Sequence, residues 1–86
     1  MAATDKTSAQ QIVRNPRILS GEPIIAGTRV PVRAVVVSWH YEPDLDRMRE
    51  AYPSLTPEGI RAALAYYEQH RAEIDRYIAA NEAERD

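Results

Sequence analysis

The stretch from Gly21 to Val32, Gly-Glu-Pro-Ile-Ile-Ala-Gly-Thr-Arg-Val-Pro-Val, constrains the fold more than any other part of the chain. Two β-branched runs, Ile24-Ile25 and Val30-Pro31-Val32, flank Ala-Gly-Thr-Arg. Gly27 supplies the positive φ that a tight reversal needs, and β-branched side chains suit pleated strands, so the segment reads as a β-hairpin. Two proline-limited strands bury too little apolar surface to stand alone in water. Something has to complete the sheet, and in a chain of 86 residues a second copy of the same segment is a good candidate.

Ile12-Val13 and Ile18-Leu19, with turns at Asn15-Pro16 and Ser20-Gly21, extend the β-region over 11–32. Residues 1–10 are polar and aperiodic and read as a disordered tail. At Val32 the period changes. Val32, Val35, Val36 and Trp39 form a helical stripe at i, i+3, i+4 and i+7, which Tyr41-Glu42-Pro43 ends. Asp44 caps a short second helix with Leu45, Met48 and Tyr52 on its apolar face. Thr56-Pro57-Glu58 opens a third, which turns Ile60, Ala63, Leu64 and Tyr67 inward. No breaker follows before Asn81, so the pattern predicts one helix of about 27 residues, ~40 Å long at 1.5 Å per residue. The expected fold is therefore α+β in a single domain, 11–86: a β-hairpin arm (11–32), a helix-turn-helix core (32–70) and an extended C-terminal helix (71–86). Plain three-helix bundles share the same outline.

Composition removes several function classes. The chain has no cysteine, which excludes disulfides and thiolate metal sites, and no apolar run approaches the ~20 residues of a membrane span, so a cytoplasmic location is expected. His40 and His70 lie far apart and form no metal-binding pair. Asp44, Asp46 and Glu50 resemble a nuclease cluster, but Asp44 and Asp46 are explained as a helix cap and first turn. No nucleophile, base and orienter assemble, so no catalytic residue, metal or cofactor is expected.

The net charge of −2 hides an asymmetry: residues 1–41 carry five basic side chains against two acids, whereas 42–86 carry six against eleven. Ten of the eleven basic residues are arginine, which forks onto carboxylate or phosphate. A GC-rich coding bias would produce the same composition.

Three blocks now stand out: Gly21 to Val32, then Tyr52-Pro53-Ser54-Leu55-Thr56, then Ala62-Ala63-Leu64-Ala65-Tyr66-Tyr67. From about Ile12 to Ile78 they resemble, in order and spacing, a bacterial and archaeal family long filed as a domain of unknown function and described as antitoxin-like (VapB-type). The resemblance implies a homeodomain-like trihelical domain with an N-terminal β-arm, dimeric through that arm. It also implies an antitoxin of a type II toxin–antitoxin system, which neutralises a PIN-like ribonuclease toxin. Two positions depart from the family pattern. Glu42 stands where a glycine usually turns the chain between the first two helices, and Gly59 stands where a second acid is common.

Three surfaces are expected from these readings. The dimer contact falls on Ile18, Leu19, Ile24, Ile25, Gly27 and Arg29. For operator DNA, the outward face of the third helix offers Glu58, Arg61 and Gln69 for base edges, with Arg29, Arg33, Arg47 and Arg49 as phosphate contacts. Arg71, Ile74, Tyr77 and Ile78 continue an apolar stripe beyond the two short helices and make the expected toxin interface; a stripe folded back on the chain's own arm is the alternative. In function, the alternative to an antitoxin is a stand-alone dimeric helix-turn-helix regulator.

Overall fold

The structure, a computed structural model, describes residues 12–85 and the side chains of 12–82. The tail expected at 1–10 lies outside the described residues. Among the described residues the fold is α+β: a two-stranded antiparallel hairpin followed by four helices.

Strand β1 (Ile12–Val13) pairs with β2 (Ile24–Ile25), Ile12 opposite Ile25 and Val13 opposite Ile24. The sheet is thus completed within the chain, by Ile12-Val13. The expected pairing of Ile24-Ile25 with Val30-Pro31-Val32 shrinks to one bridge between Ile24 and Pro31. Pro31 has no N–H to give a ladder, and Val32 already opens a helix. The reversal itself is as expected. Gly27 sits at φ 80°, Thr28 N–H donates to Ile25 O at 3.0 Å, and the Thr28 hydroxyl accepts from Val30 N–H at 2.9 Å. A Cβ at Gly27 would meet nothing within 4 Å. The cost of substitution is therefore purely backbone, and Gly27→Val is expected to destabilise by about 1–2 kcal/mol, read as a lowered thermal midpoint.

Between the strands lies a one-turn 3₁₀ segment, Leu19–Gly21, in which Leu19, Ser20 and Gly21 all take positive φ, at 51°, 55° and 86°. Gly21 N–H and Glu22 N–H close it on Ile18 O and Leu19 O at 3.0 and 3.1 Å. Two non-glycine residues held left-handed are uncommon, and each costs on the order of 1–2 kcal/mol.

Helix α1 (Val32–Tyr41) buries Val32, Val35 and Val36 completely, the stripe its period predicts. It ends at Glu42, whose φ of −149° is extended backbone that any residue adopts, so the turn before Pro43 needs no glycine. Asp44 caps α2 (Leu45–Ala51), its Oδ1 accepting from Asp46 N–H at 2.9 Å and Arg47 N–H at 3.2 Å. α2 buries Met48, and the following turn buries Leu55. Thr56 caps α3 (Pro57–Gln69), its hydroxyl accepting from Gly59 N–H at 3.0 Å, and α3 buries Ile60, Ala63 and Tyr67.

The expected extended C-terminal helix does not form. The chain breaks at His70 (φ −137°, ψ 40°) and folds back as α4 (Arg71–Arg85), which packs on α1 and places Ile74 wholly inside the core. Local propensity favours continuation. The break wins because a fully buried isoleucine, worth about 1.5–3 kcal/mol of transfer energy, is gained only when the helix turns.

Candidate functional site

The outward face of α3 follows from its inward one. With Ile60, Ala63 and Tyr67 buried, Glu58, Arg61, Ala65 and Gln69 are exposed and Ala62 is half-covered. Helical spacing puts these five positions on one face. A long cation, a small apolar floor and an amide with both donor and acceptor are side chains that can read base edges. Arg49, in the last turn of α2, and Arg29, in the Gly27 turn, are also exposed.

Two of the expected phosphate contacts are otherwise engaged. Arg33 Nε lies 2.6 Å from Glu22 Oε2, and the Glu22 side chain is 8% exposed. The contact is a close ion pair without hydrogen-bond alignment, which leaves Oε2 unsatisfied as a hydrogen-bond acceptor. Burial pushes the Glu22 carboxyl above the ordinary carboxylate range, opposed by the Arg33 charge. Arg33 is held by this pair and is withdrawn from the phosphate set. Arg47 is less committed, 3.6 Å from Glu42 with both side chains well exposed.

The expected dimer contact divides in two. Ile24 and Ile25 are 2% and 0% exposed within one chain, so their side chains already serve its own interior. Ile18 is half-buried, Leu19 is exposed on its left-handed turn, and Gly27 and Arg29 are exposed. Val13, Ile18, Ile24 and Val30 floor a shallow groove of about 660 Å³ beside the Gly27 turn.

The expected toxin interface is largely removed from the surface. Ile74 is inaccessible, and Tyr77 and Ile78 are half-buried against the core, while Arg71 is exposed, paired with Glu68 at 2.8 Å and lying 5.2 Å over the Tyr67 ring. The large hydrophobics exposed among the described residues are Val13 and Leu19 on the β-arm and, on α1, Val37 at 45% and Tyr41 at 90%, one turn apart.

A polar clasp around the α3–α4 break carried no sequence signal. Tyr66 OH donates to Glu73 Oε1 at 3.1 Å and accepts from Arg14 Nη2 at 2.7 Å, while Arg14 and Glu73 form a direct ion pair. Tyr67 OH donates to Asp75 Oδ1 at 2.8 Å. The His70 ring stacks on Tyr66 at 3.9 Å, and its Nδ1 lies 3.0 Å from Tyr66 O. These pairs are seven and eight residues apart across a break that the pattern conceals, and Arg14 arrives from the far end of the chain. Burial alone would raise Glu73; the hydrogen bonds from Arg14 and Tyr66 outweigh it and hold the carboxyl below its usual range. Because the folded value is depressed, the clasp stabilises the fold at pH above the ordinary carboxylate range, and its contribution is lost as pH falls through the folded value. Arg14→Ala is expected to bring the Glu73 titration back up, measurable by carboxyl carbon NMR.

Among the described residues no group of three or more His, Cys, Asp or Glu could hold a metal ion, and no helix is long and apolar enough to cross a membrane.

Comparison with known proteins gives a family and a fold. Residues 12–67 match the family described as "Protein of unknown function (DUF433)". "Uncharacterized protein y4eO" of Sinorhizobium fredii is 46% identical over 65 residues, covering 74% of this chain and 29% of that protein, so the chain spans less than a third of that relative's length. The crystal structure of a DUF433 member from Anabaena variabilis superposes with a TM-score of 0.76 at 32% identity, over 91% of this chain and 77% of the other.

Proposed function

The chain belongs to the DUF433 family, and within that family of unknown function we propose that it is a binding protein rather than a catalyst. In this reading α1–α3 form a homeodomain-like helix-turn-helix, and the protein serves as the antitoxin of a type II toxin–antitoxin pair, contacting operator DNA through α3.

One observation carries the DNA half of the reading: the exposed face of α3, where Glu58, Arg61, Ala62, Ala65 and Gln69 lie together on a helix anchored by Ile60, Ala63 and Tyr67. Arg29, Arg49 and the loosely held Arg47 supply phosphate contacts, and a homodimer doubles them. Fluorescence anisotropy with DNA from upstream of the gene tests it. Arg61→Ala is expected to relax sequence preference, at about 1–3 kcal/mol for one base position. Arg49→Ala is expected to weaken all sequences alike and to lower the salt slope by about 0.9. Binding indifferent to Arg61 would remove α3 as the reading helix.

The toxin half rests on a different surface. Val37 and Tyr41 are exposed apolar side chains on α1, and Tyr41 borders a shallow pocket with Met48, Ala51, Arg47, Glu42 and Glu50. An aromatic anchor beside charged side chains is what an interface core with a polar rim requires. We assign the PIN-like ribonuclease toxin to this face in place of Tyr77 and Ile78. Co-expression tests it: Tyr41→Ala should abolish rescue of growth while leaving the melting temperature unchanged.

A further inference from the structure

We propose that α4 is an exchangeable element: two copies of the chain can trade it, each placing its α4 on the α1 face of the other, with His70 as the hinge. The proposal stands on the geometry of the break and does not depend on the antitoxin reading.

The break has no sequence cause. Between Tyr66 and Ile74 the chain reads Tyr-Tyr-Glu-Gln-His-Arg-Ala-Glu-Ile, without glycine or proline and with mostly good helix formers. Straightened, α3 and α4 would be one helix over 57–85, about 44 Å long. What bends it is tertiary: Ile74 in the core, Glu73 on Tyr66 and Arg14, and Asp75 on Tyr67.

His70 bridges the two states. In a continuous helix Tyr66 O would accept the His70 backbone N–H. Here that N–H turns to Tyr67 O at 3.1 Å, and the ring nitrogen Nδ1 of the same residue lies 3.0 Å from Tyr66 O. A carbonyl only accepts, so Nδ1 carries the proton, and the imidazole stands in for the helical bond that the break removes. Stacking on Tyr66 holds the ring in place. His70 itself is exposed and buries nothing in the core.

Opening the hinge in one isolated chain uncovers Ile74, Tyr77 and Ile78 together with the α1 face they leave. Two opened chains restore every one of those contacts, because the vacated groove and the incoming helix are the same in both copies. Exchange of this kind loses no contact but the hinge, so the hinge sets the balance between closed monomer and exchanged dimer. The Arg14–Glu73 pair, joining β1's end of the chain to α4, becomes a contact between copies.

Two experiments test this on the full chain. Sedimentation equilibrium of His70→Ala and His70→Gly after refolding at high concentration compares a residue that favours the straight helix with one that does not. Alanine is expected to dimerise about 25-fold more tightly, about fivefold for each of two hinges. The second experiment identifies which helix has moved. Arg14→Glu and Glu73→Arg each place like charges together within a closed chain, but an exchanged heterodimer of the two restores both pairs. Co-refolded, the two variants are expected to form heterodimers in excess of random assortment, seen by native mass spectrometry. A dimer held through the β-arm would show no such preference. Equal dimerisation of the two His70 variants, or a mixture that behaves as its separate components, overturns the proposal.

Discussion

Truncation after Gln69 is expected to unfold the protein. It removes Ile74, which is fully buried, together with Tyr77 and Ile78 packed against the core and the carboxylates that receive the Tyr66 and Tyr67 hydroxyls. A chain of this size has on the order of 4–13 kcal/mol of stability in total. Trimming a single buried isoleucine to alanine already costs about 2–5 kcal/mol. Ile74→Ala should therefore melt roughly 8–40 °C lower, while the 1–69 chain should show no cooperative transition by circular dichroism. A truncated chain that melted like the full-length protein would mean that α4 adds nothing to the core.

Arg33→Ala has the second largest expected effect. It leaves the Glu22 carboxylate buried without its counter-charge, which typically costs about 3–5 kcal/mol. The pH dependence gives a sharper test. The folded carboxyl titrates above its ordinary range because of burial, with Arg33 opposing the shift; without Arg33 it rises further. A raised folded value means that Glu22 favours folding below its unfolded value and that this contribution is lost as pH rises through the folded one. The defect of Arg33→Ala should thus be largest at neutral pH and shrink on acidification. Glu22→Gln in the same chain should recover much of the loss at pH 7. A defect that does not change with pH would assign it to lost packing of the arginine stem.

Which features were legible in the sequence follows from how far apart the deciding residues stand. Asp44 and Thr56 cap helices whose first turns lie beside them, and Gly27 turns a loop two residues either way, so α2, α3 and the reversal could be read directly. The α1 stripe was equally plain, because Val32, Val35 and Val36 show their period inside one helix. Partners beyond that reach were hidden. Ile12 lies thirteen residues from Ile25, whereas the β-branched run around Val30 is near in sequence and pairs only through the Ile24–Pro31 bridge. The break at His70 depends on Ile74 finding α1 and on Tyr66 and Tyr67 finding carboxylates past the bend, none of which a local pattern encodes. For the same reason Ile74 read as an exposed anchor and Arg33 as a free cation. Arg61 and Gln69 were placed on an outward face because their burial is set by α3's own period. The left-handed backbone at Leu19 and Ser20 had no residue to announce it beyond Gly21.

The position of Ile74 has a consequence for how the chain is made. Val32, Val35 and Val36 leave the ribosome well before α4, which covers α1 alongside α3. At 5–20 residues per second the interval is about 2–8 s, for roughly forty residues. During that time the valine stripe lacks the cover of α4, while α1, α2 and the strand pair are already synthesised. A chaperone that surveys emerging polypeptides has its opportunity in this window, and a pause in translation between the codons for Tyr67 and Ile74 would lengthen it. Synonymous changes that slow that stretch should lower soluble yield without altering a single side chain.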